Sequence, residues 1–140
     1  MSIGRICTRS VFVASPQETA RDAARRMEEN KVGALVVRDE SDRPVGVITD
    51  RDIAVRVVAH YHDPDDTPIY RVMSQPVVTM RESAAIEDAI AEMARVSARR
   101  IVVTDDGGRL VGLLALDDVL DLLAEETESI GRILAKQRSG

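Results

Sequence analysis

The sequence predicts an α+β fold in which two βαββα repeats pack as a pseudo-two-fold pair. Self-similarity is the first sign. Val45-Gly46-Val47-Ile48-Thr49-Asp50-Arg51-Asp52-Ile53 returns 66 residues later as Val111-Gly112-Leu113-Leu114-Ala115-Leu116-Asp117-Asp118-Val119. At the same spacing Leu35-Val36-Val37-Arg38-Asp39 returns as Ile101-Val102-Val103-Thr104-Asp105, Ala23 and Met27 as Ala89 and Met93, and Val11 as Val77. The second sign is that no gap interrupts the match, although loops readily collect insertions. The third is that one copy, with a thin helix and three short strands, cannot cover its own apolar strands. Pairing the copies removes that surface from water at about 25 cal/mol per Å². The cleft between paired copies is the natural place for a ligand.

The first repeat, residues 7–60, opens on the apolar run Val11-Phe12-Val13, closed by the turn signal Ser15-Pro16. Ala20, Ala23, Ala24 and Met27 follow at helical spacing with charged residues between them. Gly33 ends that helix before the strand Ala34 to Val37, and Asp39 to Pro44 forms a turn into the strand Val45 to Thr49. A second helix starts near Asp50 and carries Ile53, Val57 and Val58 inward. Residues 61–72, with Asp63-Pro64-Asp65-Asp66-Thr67-Pro68, read as a linker. The second repeat, residues 73–127, is cleaner: Ile86, Ala89, Ile90 and Met93 make one buried helical stripe. Asp105-Asp106-Gly107-Gly108 joins two strands as a hairpin. The last helix runs from Asp117 to about Lys136. In its extension, residues 128–140, Ile130, Ile133 and Leu134 have no partner within a two-copy core, which points to a subunit contact.

Composition excludes several classes of function. With 19 basic and 24 acidic side chains, mixed along the chain, there is no basic face for phosphate backbones. Phe12, Tyr61 and Tyr70 are the only aromatics, too few for a base-stacking platform. No apolar run approaches the roughly 20 residues of a membrane span, and the first residues lack the apolar stretch of a signal peptide. Cys7 is the single cysteine, which excludes a disulfide framework and cysteine metal clusters. A cytoplasmic protein is expected, with no nucleic acid or membrane as partner.

Gly46 to Asp52 reads Gly-hydrophobic-hydrophobic-Thr-x-x-Asp and follows the strand Val32-Gly33-Ala34-Leu35-Val36-Val37-x-Asp39. The second copy is led in by Val72-Met73-Ser74-Gln75-Pro76. At these residues the chain resembles the tandem CBS-domain pair, the Bateman-type module named after cystathionine β-synthase, over roughly Gly4 to Thr127. It is most similar to stand-alone bacterial pairs. The resemblance implies a disc-like dimer of pairs and an adenosine-containing ligand: AMP, ADP, ATP or S-adenosylmethionine.

The residues suit such a ligand. A carboxylate at Asp52 can accept hydrogen bonds from both hydroxyls of a ribose, and Thr49 can donate to a phosphate at a helix start. The resemblance assigns ribose and phosphate roles to these two positions. Thr-x-x-Asp is equally a capping box that only satisfies helix donors. In the second copy Asp118 is kept, while Ala115 replaces Thr49 and loses a hydroxyl. Arg99 and Arg100 stand where the first copy has Gly33 and Ala34. The resemblance implies a phosphate-binding basic residue at Arg99, a task that suits a guanidinium fork. The competing role for the two arginines is pairing with nearby acids. Val11, Val13, Val47, Ile48 and the edge Val77, Thr79, Met80 offer an apolar slot for adenine, with Ala34 counted among the lining. Ordinary core packing is the alternative for each.

His60 and His62 beside Asp63, Asp65 and Asp66 fit no zinc spacing, so no metal is expected. No activated nucleophile is evident. The expected function is a non-catalytic sensor that needs no cofactor, forms a homodimer and passes the state of its adenosine ligand to an effector protein. The competing expectation is a structural assembly module with empty clefts.

Overall fold

Period-two strands and period-3.6 helices alternate twice along the computed structural model, which describes residues 1–139. A short 3-10 turn, Ile3–Arg5, comes first. The first repeat contributes β1 (Val13–Ala14), α1 (Ala20–Asn30), β2 (Ala34–Arg38), β3 (Pro44–Thr49) and α2 (Asp50–Asp52), which continues as a π-helical stretch, Ile53–Val58. After α3 (Ile69–Val72) come β4 (Thr79–Arg81), α4 (Ile86–Val96), β5 (Arg100–Thr104), β6 (Leu110–Ala115) and α5 (Leu116–Ser139). Among the described residues there are two three-stranded sheets, ordered β1-β2-β3 and β4-β5-β6, each with a parallel first pair and an antiparallel second. Their registers are copies. Val36 opposes Val47 and Val102 opposes Leu113, and the ladders slip at Val37/Arg38 and at Val103/Thr104. The expected α+β pair of βαββα repeats is what the chain forms.

Local chemistry explains the element ends. Thr19 and Asp22 close a capping box at the start of α1. Lys31 and Ser97, counterparts in the two repeats, both end their helices in the left-handed region at φ 54°. On one side of the sheets Ala20, Ala23 and Met27 pack with Leu35, Val37 and Ile48, and Ala89 and Met93 pack with Ile101, Val103 and Leu114. Val36 and Val102 point to the opposite face and are still buried, in the seam between the two halves.

Two inward assignments need correction. Val58 is 67% exposed, because the wider π-helical turn, with Ala59 N–H donating to the Ala54 carbonyl, rotates it away from Val57. Ile90 is exposed as well, like its counterpart Ala24, because a three-stranded sheet covers only the narrow strip of Ile86, Ala89 and Met93.

The halves are tied together by exchanged lead-in segments. Residues preceding the first repeat's β1 pack on the second sheet: Thr8 and Leu113 exchange two backbone hydrogen bonds at 2.9 Å, and Ile3 is fully buried with Ile86, Ile101 and Leu114. Residues preceding β4 do the reverse. Ser74 pairs with Val47, and Ile69, Val72 and Met73 complete the first core. The stretch 61–72 thus ends in α3, whose Ile69 and Val72 are buried. Each crossing passes over a glycine. A Cβ on Gly112 would sit 2.5 Å from the Thr8 carbonyl oxygen, and one on Gly46 would sit 2.5 Å from Met73 Sδ and 3.1 Å from the Ser74 carbonyl. No side chain fits beneath the crossing strand. Ile3→Ala should therefore destabilise the second half by about 2–5 kcal/mol although it lies outside that half in sequence. Chemical denaturation followed by hydrogen exchange at Val102 and Leu114 checks this; unchanged protection there would contradict the exchange.

A polar clasp holds the β1 edge. Arg26 donates to the Val13 carbonyl at 2.7 Å and makes two hydrogen bonds to Glu18, whose Oε2 also accepts from Ser15 N–H. Arg26 as hydrogen-bond donor holds the Glu18 carboxyl below its usual range. A carboxyl with a depressed folded-state pKa stabilises the fold above its unfolded pKa, about 4.3, and loses that contribution as pH falls through the folded value. The stability gap between wild type and Glu18→Gln, on the order of 1 kcal/mol after solvent screening, should be present near neutral pH and close on acidification.

Candidate functional site

The exchange of lead-ins leaves two clefts between the halves, and they are related by the repeat. One, about 240 Å³, lies against Thr8, Val11, Phe12, Ala34, Ala115 and Asp118. The other, about 190 Å³, lies against the counterpart positions Ser74, Val77, Val78, Arg100 and Thr49, with Val47 in place of Leu113. Two larger hollows, one beside Arg56, His60 and His62 over the buried Thr67 and Val72 and one beside Ser15 and Arg38 to Asp42, are each built on one half of the fold. The paired clefts are the better candidates because both halves build them.

The two clefts differ in what their carboxylates are free to do. Asp52 is only 6% exposed and spent on the protein: Oδ2 accepts from Thr49 N–H at 3.0 Å, and the Ser74 hydroxyl donates across both oxygens at 3.1 and 3.2 Å. Arg56 Nε stands 3.9 Å away, its NH1 donating to the Val72 and Met73 carbonyls. Thr49 Oγ1 accepts from Asp52 N–H, so the capping box is fully formed. Asp118 keeps half of that box, Oδ2 accepting from Ala115 N–H at 3.2 Å. Thr8, the counterpart of Ser74, does not bond it, and Oδ1 faces no protein donor among the described residues. Asp118 therefore lines its cleft, whereas Asp52 lies behind Thr49 and Ser74.

A family model, CBS domain, matches residues 3–59 and 69–125, each match opening on a lead-in segment. The chain belongs to the CBS-domain family. It is a tandem pair. Protein MK0525 of Methanopyrus kandleri is 36% identical over 122 residues, 87% of this chain and 62% of that protein, so this chain spans less than two thirds of that relative. The CBS domain-containing protein YhcV of Bacillus subtilis is 36% identical over 118 residues, 84% of this chain and 82% of that one. Among solved structures the CBS pair of MJ0100, in complex with 5′-methylthioadenosine and S-adenosyl-L-methionine, superposes with a TM-score of 0.79 over 90% of this chain and 98% of that one. At 23% identity that likeness speaks for the fold.

Within this CBS pair the residues singled out from sequence divide. Thr49, Val47, Val77 and Arg100 line one cleft; Val11, Ala34, Asp118 and again Arg100 line the other. One guanidinium thus serves both clefts, since its counterpart is Ala34. Ile48 is fully buried in the first core, on the face opposite Val47. Val13 sits in the β1 ladder, Thr79 and Met80 in β4 with Met80 packed on the second core, and none of the three reaches the clefts. Arg99 lies outside both clefts, 3.9 Å from Asp117 on the exposed surface. Cleft residues that sequence reasoning passed over include Thr8, Ser10, Phe12, Ser74, Ala98 and Leu113; the repeat offset pairs Thr8 with Ser74 and was the available signal. His60 and His62 stack with centroids 6.2 Å apart, and no group of metal-binding side chains occurs among the described residues. Burial raises the Cys7 thiol above its usual pKa. No helix of the described residues is long and apolar enough to cross a membrane.

Removing the Asp52 carboxylate leaves the Thr49 N–H and the Ser74 hydroxyl without an acceptor. Asp52→Ala should lower stability by about 1–3 kcal/mol with no ligand present, measured by urea denaturation. Asp118→Ala, which loses one cap bond, should cost less.

Proposed function

We propose that this CBS pair is a non-catalytic sensor that binds an adenosine-containing molecule in the cleft of Asp118. The observation that carries the reading is a half-buried carboxylate with an uncommitted oxygen in the same cleft as an unpaired guanidinium. A carboxylate oxygen suits the adjacent hydroxyls of a ribose, and a guanidinium suits a phosphate. Val11, Phe12, Val32 and Leu113 supply an apolar slot for the base. The adenosine compounds held by MJ0100 concern that protein; the support here is the cleft's own chemistry. Asp52 is the poorer ribose acceptor, because Ser74 would first have to turn away.

Arg100 belongs to both clefts, so a phosphate in one neutralises the cation of the other. One phosphorylated ligand per chain binds tightly and a second binds weakly. Binding biases the angle between the halves by the ligand's difference in affinity for the two states, and an effector protein reads that bias in the cytoplasm. A homodimer is the form in which the pair acts.

The test uses protein stripped of copurified nucleotide, titrated with AMP, ATP and S-adenosylmethionine. Stability should rise by about 2.7 kcal/mol at a hundredfold excess over Kd. Asp118→Ala should weaken every adenosine ligand, and Arg100→Ala should weaken AMP and ATP but spare S-adenosylmethionine, which has no phosphate. Indifference to all three compounds would sink the sensor and leave an assembly module with empty clefts.

A further inference from the structure

The last helix reaches beyond anything the fold of the pair requires. α5 is 24 residues long, about 36 Å, while the family match ends at residue 125. Its first turns are anchored, with Val119 buried in the second core and Leu116 and Leu122 packed against it. Along the same helix Leu116, Leu120, Leu123, Ile130 and Leu134 fall on a 4-3 spacing whose one remaining position is the polar Thr127. A helical face repeating every 3.5 residues is the seam of a coiled coil rather than the broader stripe of a helix lying on a sheet. Beyond the anchor this seam is bare. Leu123 is 46%, Ile130 58% and Leu134 49% exposed.

Charge along the same helix identifies the occupant. Residues 116–128 carry six acidic side chains and no basic one, and residues 129–139 carry three basic side chains and no acidic one. The helix macrodipole accounts for such a bias only in the first and last turns. Here it extends through Glu125, Glu128 and Arg132 in the middle of the helix. A second α5 laid parallel would align acid with acid. Laid antiparallel about a centre between Glu128 and Ser129, it sets each acidic half beside a basic half, and the seam closes with Leu123 opposite Leu134 of the second copy and Thr127 opposite Ile130 of the second copy.

We infer that α5 is a self-association element which joins two copies of this chain through an antiparallel coiled coil. The contact centres beyond residue 125, where the family match ends, towards the far end of α5 from the clefts, and it holds whether or not the clefts bind a ligand.

Sedimentation equilibrium of the full chain gives the oligomeric state, with Leu123→Glu and Ile130→Glu as variants. Both positions are exposed, so the variants should keep wild-type circular dichroism and melting of the body. Each should weaken dimerisation at least tenfold. Orientation is read with single cysteines, Leu123→Cys and Leu134→Cys, and a short bismaleimide. Mixing the two variants should give cross-linked dimer where each alone gives little, and wild type, whose Cys7 thiol is partly buried, should give none. A monomer at all concentrations, a dimer indifferent to both glutamates, or efficient cross-linking of each variant with itself would each overturn the antiparallel seam.

Discussion

Each half of this molecule is completed by a segment that belongs, in sequence, to the other. The crossing of Thr8 over Gly112 and of Ser74 over Gly46 is the constraint on which the rest depends. Without it the second sheet loses Ile3 and the first loses Ile69 and Met73, leaving apolar faces that three short strands cannot cover. The exchange also fixes how the halves face one another, because each lead-in is anchored on one sheet and continues into a strand of the other. Its by-product is a pair of clefts, opened where the lead-in strand leaves one sheet for the next. Fold and site thus have one cause.

A symmetric frame does not make symmetric sites. The backbone registers of the halves are copies, but side chains at equivalent positions have diverged, and each change has a chemical consequence. Ser74 silences Asp52, while Thr8 leaves Asp118 with a free oxygen. Arg100 against Ala34 leaves a single arginine that borders both clefts. Thr49 against Ala115 gives the first cleft a hydroxyl and the second more room. Duplication supplied two clefts at equivalent backbone positions, and substitution gave them unequal chemistry.

How far the sequence could be read follows from the same physics. The repeat offset carried the βαββα order, the sheets and the core positions at Met27 and Met93, because period and spacing are local properties. Exchange was not local. The apolar character of Ile3 and Ile69 signals burial without saying on which sheet, and that choice depends on the lengths of chain joining the halves. The closure of Asp52 by Ser74, 22 residues away in sequence, followed the exchange and was hidden with it. Val58 was misjudged because an extra residue in a π-helical turn leaves no mark in an apolar pattern. Ile48 was open to sequence reasoning: neighbours on a strand face opposite ways, so Val47 and Ile48 could not both line a cleft.

The central claim is that the cleft of Asp118 and Arg100 receives a ribose and a phosphate. Amide NMR of the native protein, followed during addition of AMP, tests it most directly. The account predicts concentration-dependent shifts at Thr8, Ser10, Ala34, Ala115 and Asp118 before any at their counterparts Ser74, Thr49 and Asp52. Shifts confined to the hollow around His60 and His62, or none at saturating AMP, would contradict it.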